Sequence, residues 1–550
     1  MKNKVVKKMC SLFLASVLAV SMVGCGVANQ EDDKTSLTQS SETPENKESE
    51  VEEEQPKEPV TLTWYFCNGV GEQEDTKKVE DRVNEMLKEV EGLEHVSIDL
   101  VPGTYEYANE VLLAQTSGKQ IDLLHTYRLS YTTEIANDTF IAIDDYLESE
   151  DFVALKEELP DWLWNSMKVN GETYIIPTYQ MGATERYVVI PKEYEQYLTN
   201  EDIAVLENMN LRGENAAAEL EKLLVVVENL TAAVSDATGK EYYNTPAASS
   251  VADVTNFISR DRLDAASGLS VYAGTTEATF SWLSDSMKTA CEYVAKWVEE
   301  GTYPADASVQ DTSKWGIQYG ETARHALDLG YQSNGTAEYV AEQYLKSFGM
   351  DVMVYPMHDS YFMEYNWGAG GTGITASCEH PYEALLFLQL INTEAGQEIY
   401  NTLVWGLEGE HWEWEDKSIN RIKTLEYDSA QAGKDASYTA WKWIIGNTEY
   451  QYLNQAVSDD TVELMREVND DPNNAVSMIS GFALDKTNVE TEFSQVTAVV
   501  SEYKDALIYG SMGAKWEEYY DEFVKKLEAA GLQTILDEIQ AQIDSYLEKQ

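Results

Sequence analysis

From Val60 onward the chain alternates short strands with amphipathic helices, and this order restricts the possible folds more than any single motif does. Val60-Thr61-Leu62-Thr63-Trp64-Tyr65-Phe66 reads as a strand because β-branched and aromatic residues dominate it. A loop with Asn68, Gly69 and Gly71 follows. The next helix carries its apolar face on Val79, Val83, Met86, Leu87 and Val90. Val96, Ile98 and Leu100 alternate as a second strand, Tyr105 to Ala114 reads as a second helix, and Ile121-Asp122-Leu123-Leu124 as a third, buried strand. Such alternation predicts a largely parallel sheet with helices on its faces. Asn170-Gly171 marks a hairpin turn. Beyond Tyr194 helical patterns dominate, clearest in Met287 to Glu300 and Pro381 to Asn392. Trp516 to Gln550 reads as a helical pair broken near Gly531. At 550 residues the chain is long enough for two domains of ordinary size.

The segment ahead of Val60 has a different chemistry. Lys2, Lys4, Lys7 and Lys8 precede an uncharged run from Met9 to Val23 that ends in Val23-Gly24-Cys25. A basic start, a short apolar run and small residues before a cut mark an export signal, and the run is too short for a permanent membrane span. This segment resembles a bacterial lipoprotein signal (residues 1–24), which implies that Cys25 is diacylated and becomes the mature N-terminus, although Met22 stands where Leu is usual. Residues 25–59 are rich in Glu, Asp, Ser and Thr and hold no aromatic residue. They cannot bury enough apolar surface to offset ordering entropy and read as a disordered acidic tether, with a flexible-coil reach of roughly 30–35 Å.

The full chain has a net charge of −58; loss of residues 1–24 leaves 35 basic and 97 acidic residues, a balance of −62. A balance this negative argues against nucleic-acid binding and against lying flat on an anionic membrane. Cys67, Cys291 and Cys378 remain after processing, an odd number without motif spacing, and read as small buried apolar residues. The six histidines show no metal-binding spacing. No metal or cofactor is expected. Gly368-Ala369-Gly370-Gly371-Thr372-Gly373 matches G-x-G-x-x-G, but a strand rather than a helix follows it, which favours a glycine-rich crossing over a dinucleotide loop. Gly510-Ser511-Met512-Gly513 lacks the first glycine of a nucleophile elbow.

The order of motifs in the mature chain resembles a known family. Thr63-Trp64-Tyr65, Gly118-Lys119-Gln120-Ile121-Asp122-Leu123, Gly171 to Thr178, Gly373 to Ser377 with His380 to Leu385, Trp443 to Asn447, Gly481-Phe482 and Ala529-Ala530-Gly531 together look like an oligosaccharide-type extracellular solute-binding protein of an ABC importer. The resemblance implies an α/β, two-lobed, periplasmic-binding-protein-like (type II) fold with an interlobe hinge and a helical C-terminal part. It implies one lobe from residues 60–180 and 370–425 and a second from 181–369 and 426–550. Residues Leu198 to Ser270 fit the resemblance poorly.

Ligands of such folds sit where loops leave the carboxyl ends of strands. The expected contacts are Trp64, Tyr127, Tyr179, Tyr361, Trp367, Trp443 and Asn447, while Trp162, Trp164 and Trp297 lie in helical patterns and read as core. The chain holds 13 Trp and 34 Tyr against 12 Phe. Flat rings suit the C–H face of a sugar, and Tyr O–H and Trp N–H suit its hydroxyls. The expectation is a non-enzymatic, monomeric lipoprotein tethered through Cys25 at the outer face of the cytoplasmic membrane, delivering an oligosaccharide to a permease. The alternatives are a surface carbohydrate-active enzyme and a binding protein or sensor for peptides or another solute.

Overall fold

The computed structural model describes residues 57–548, apart from 170, 213–214, 245–259, 264–267, 311–315, 320–323, 334, 360, 363–369 and 428–434. The export signal, Cys25, nearly all of the acidic tether and Trp367 therefore lie outside the described residues. Lys57–Gln550 form one compact unit.

Strands β1 (Val60–Gly69), β2 (Val96–Thr104), β3 (Leu123–His125) and β4 (Ile175–Pro177) build the first sheet together with the strand Gly371–Ile374. β1 pairs parallel with β2 and β3, whereas Gly371–Ile374 runs antiparallel between β3 and β4. Helices α1 (Thr76–Leu87) and α2 (Tyr107–Thr116) connect the parallel strands. In α1 the predicted face holds: Val79, Val83 and Leu87, spaced by four, are fully buried. Gly371 to Gly373 of the glycine-rich run lie in a strand, with Gly370 just before it. Gly370 takes φ +64°, and a Cβ there would lie 2.1 Å from Thr126 Oγ1. Glycine therefore lets two segments meet.

The second lobe departs from the expected parallel pattern. β5 (Ala183–Pro191) pairs antiparallel with Asp328–Ser333, Val352–Pro356 and Tyr361–Phe362. No crossover helix joins β5 to a parallel neighbour among the described residues, because long helical segments intervene before the chain returns. Helices Ala216–Thr238, Asp285–Glu300, Glu490–Ile508, Trp516–Ala529 and Leu532–Leu547 are its longest described elements. Ser284 Oγ caps Asp285–Glu300 by accepting from Met287 N–H at 3.0 Å, and Gly301 ends it at φ +76°. Gly531, at φ +91°, breaks the C-terminal helical pair. The poorly matching stretch after Leu198 contains the 23-residue helix Ala216–Thr238, which packs into this lobe.

Two large cores result. One gathers Trp64, Phe66, Tyr107, Leu124, Phe387, Tyr400 and their neighbours; the other gathers Leu224, Val294, Trp297, Phe523, Ile535 and theirs. Residues 440–465 depart from the expected boundary: Ala440, Ile444, Ile445, Tyr452 and Met465 belong to the first core, not the second. Their apolar side chains cover the helix Gln397–Trp405, to which Tyr452 N–H donates at Asn401 Oδ1, 2.6 Å. The second lobe regains the chain only near Ile479. Among the described residues the chain changes core three times, between Tyr179 and Val188, between Met357 and Ile374, and between Met465 and Ile479. Cys67 and Cys291 are buried and Cys378 half-buried, all three as free thiols.

Trp64 and Trp297 are fully buried in different cores. Trp64→Ala and Trp297→Ala should each destabilise by roughly 3–5 kcal/mol through lost transfer energy and the cavity left behind. Chemical denaturation should show both losses. Separate unfolding steps in the two variants would reveal which lobe each tryptophan supports.

Candidate functional site between the lobes

A cavity of about 410 Å³ opens between the two lobes. From the first lobe Lys442, Trp443, Thr448, Gln451 and Met465 line it; from the second come Tyr331, Tyr339, Val340, Gln343 and Phe348. Gln180 and Met181 of the first crossing form its back.

The first-lobe wall is an aromatic platform. Trp441 and Trp443 stack with ring centroids 5.4 Å apart and planes at 14°. Tyr127 meets both edge-on, at 5.8 and 4.9 Å, and Tyr105 leans on Trp441 at 5.8 Å. These geometries are the favourable ones for aromatic quadrupoles. The platform sits at the carboxyl ends of β1 and β3. Gly69 ends β1 at φ +82°, and a Cβ there would lie 2.7 Å from Trp441, so glycine lets the indole rest on the backbone. Arg128, in the left-handed region at φ 66°, holds its guanidinium carbon 4.9 Å from the Tyr105 ring and 5.4 Å from the Tyr127 ring.

His125 fixes the loop that carries Tyr127. Its Nδ1 accepts the Tyr127 N–H at 3.0 Å, which requires a neutral ring with its proton on Nε2. Complete burial pulls its pKa down to about 3. Tyr107 O–H donates to the carbonyls of Tyr65 and His125 and ties β1 to β3 behind the platform.

The opposing wall comes from the helix Ala337–Phe348, where i, i+4 spacing sets Tyr339 and Gln343 on one face. Tyr344 on the same helix turns inward. It donates to Asp328 Oδ2 at 2.7 Å and meets Tyr331 edge-on at 5.2 Å. Burial lifts Asp328 to about 6, although the Tyr344 hydroxyl and Ile317 N–H oppose this. Lys442 Nζ donates to Gln451 Oε1, and burial draws its ammonium down to about 8.

The expected contacts divide clearly. Trp443 lines the cavity, and Tyr127 is half-buried against it. Trp64 does not approach the site. β1 runs on to Gly69, which puts Trp64 in mid-strand and turns it into the core against Phe66 and Phe387. Tyr179 is buried beside Trp162, and its carbonyl accepts from Thr448 N–H at 2.9 Å. Asn447 is buried as a turn cap: Oδ1 accepts from Glu449 N–H at 2.9 Å, and Nδ2 donates to Asn392 O at 3.3 Å. Tyr361 is described as backbone, paired with Thr184. Sequence reasoning missed Trp441, Tyr105, Tyr331 and Tyr339. The Trp441-Lys442-Trp443 triplet was the available signal for the first of these.

Two α/β lobes, three crossing segments and a cavity between them define the two-lobed, type II fold of solute-binding proteins. Residues 478–548 match a family model described as a domain of unknown function, DUF3502. The chain is similar, at 20% identity over 81% of its length and 83% of the relative's, to a carbohydrate ABC transporter substrate-binding protein of Streptococcus pneumoniae. An N-glycan transport solute-binding protein from S. pneumoniae superposes with a TM-score of 0.67 at 18% identity, covering 89% of this chain and 99% of that one. Its complex with Man5GlcNAc gives 0.59 at 17% identity, covering 90% and 99%.

Three buried histidines make stability pH-dependent. Burial lowers His125 to about 3 and His325 and His358 to about 4, so between those values and about 6.5 the unfolded chain binds protons that the native chain does not. Stability should fall as pH drops below about 6.5, by on the order of 1 kcal/mol per pH unit for each histidine. Asp328, raised to about 6, takes up a proton when native and opposes one of the three. Thermal melts between pH 7 and 4.5 should show a falling midpoint. The fall should be shallower in His125→Gln, whose amide oxygen can still accept from Tyr127.

Proposed function

We propose that this chain is an extracellular substrate-binding lipoprotein that captures an oligosaccharide between its lobes and delivers it to the permease of an ABC importer. The observation that carries the reading is a cavity with aromatic rings on both walls: Trp443, in the Trp441 stack, faces Tyr331 and Tyr339 of the other lobe. Such walls suit sugar C–H faces, and Gln180, Gln343, Thr448 and Gln451 supply the amides and hydroxyls that its rim needs. The names of the sequence relative and of the superposed structures support carbohydrate binding without turnover.

A ligand that touches both walls binds the closed arrangement better and shifts the population toward it. The permease then distinguishes loaded from empty protein by shape. The protein acts as a monomer, held by lipid on Cys25 at the outer face of the cytoplasmic membrane. Residues 26–59 let it reach the permease.

Calorimetric titration with a panel of N-glycan and milk-type oligosaccharides should find a ligand that is recovered unchanged. Trp443→Ala should weaken its binding by about thirtyfold, the usual loss of a central stacking aromatic. Failure of every glycan to bind, or cleavage at a steady turnover, would overturn the reading. Anchoring has its own test. Two acyl chains hold a protein stably at a membrane where one does not. Cys25→Ala should therefore move the protein from the membrane fraction to the medium or leave it unprocessed. Recovery of that variant with lipid attached would refute the anchor.

A further inference from the structure

The cavity has an electrostatic feature that its aromatic walls do not explain. In a chain with a net charge of −58, the one charged side chain among the described residues lining the cavity is a cation, Lys442. Lys442 opens the short helix Lys442–Ile445 between Trp441 and Trp443, so its stem starts within the stacked platform. Its ammonium has three N–H donors, and the Gln451 amide oxygen takes one of them. None of the ion pairs among the described residues includes it. Lys442 is half-buried at the cavity wall, where an anion entering the cavity could take its remaining donors. Here burial lowers its pKa only to about 8, so it still carries its charge at pH 7.

The surroundings leave the anion to come from outside. The facing second-lobe residues, Tyr331, Tyr339 and Gln343, are neutral, and no acid lines the cavity among the described residues. Arg128 adds a second cation on the same aromatic cluster, over the Tyr105 and Tyr127 rings. A sugar ring stacked on Trp443 would bring a ring substituent to the neighbouring Lys442.

We propose that the ligand is an acidic oligosaccharide, one bearing a carboxylate as in uronic or sialic acid residues, and that Lys442 selects it by pairing with that carboxylate. This rests on the oligosaccharide-binding reading above. A charge-assisted hydrogen bond formed away from water strengthens binding well beyond a neutral one.

The test is a glycan array, followed by calorimetry, that pairs each neutral oligosaccharide with its uronic- or sialic-acid-bearing counterpart, the methyl ester of that acid, and a sulfated analogue. The best ligand should be a free acid that binds about tenfold or more tighter than both its neutral partner and its methyl ester. The preference of acid over ester should collapse toward one in Lys442→Gln and survive in Lys442→Arg. The ester arm uses the unaltered protein, so it stands even if a variant misfolds. A best ligand that is neutral, with its acidic counterpart no tighter, would overturn the proposal and leave the proposed function standing. So would a preference that persists in Lys442→Gln. Equal affinity for sulfated analogues would show that charge alone is read and would overturn the assignment to sugar acids. Absence of binding by any glycan would overturn both readings together.

Discussion

The side chain of Asn469 joins two segments that would otherwise leave the cavity without a back wall. Its Oδ1 accepts the Gly182 N–H at 2.7 Å, and its Nδ2 donates to the Gln180 carbonyl at 2.9 Å. The third passage between the lobes is thereby fastened to the first. Thr448 adds a second tie, donating to the Tyr179 carbonyl from both its N–H and its hydroxyl at 2.9 Å. The second passage joins from the other side, where Thr178 N–H donates to the Gly370 carbonyl at 3.2 Å. Backbone groups at a junction are hard to satisfy by regular pairing, and amide side chains that donate and accept at once solve the problem. The cavity lies against this seam, with Gln180 and Met181 at its floor.

Each cavity wall is held from behind by a buried polar group. In the first lobe, His125 and Tyr107 fix the loop that presents Tyr127, and Gly69 lets Trp441 approach the strand end. In the second, Asp328 holds Tyr344, against which Tyr331 rests. Buried polar groups of this kind specify one arrangement because any other leaves them unpaired. The rings on each wall are therefore held in place by their own lobe.

The fold was more legible than the site. The strand and helix order from Val60 to Leu124 followed from periodicity, because burial of one helix face or one strand forces a repeat that sequence displays. The site depends instead on where strands end. Reading β1 as finishing at Phe66 put Trp64 near a loop, whereas the strand continues to Gly69 and the ring turns into the core. Asn447, at the end of the Trp443 to Asn447 segment, was expected to offer a polar contact to the sugar. Its amide is used by the turn it caps. Trp443 was legible, but Trp441, its stacking partner, was not, since two residues apart in sequence gives no sign of which loop will fold beneath them.

By itself the sequence determined that the chain carries a strongly acidic balance and builds alternating strands and helices from Val60. These properties are local or compositional, so they need no knowledge of distant contacts. Only the tertiary structure decided that residues 440–465 belong with the first lobe, that the second sheet is antiparallel, and that Tyr331 and Tyr339 line one cavity with Trp443. The reason is physical. Which lobe a segment joins depends on the apolar surface it can cover, and which residues share a cavity depends on three passages of the backbone meeting at one seam. Neither leaves a repeat in the sequence.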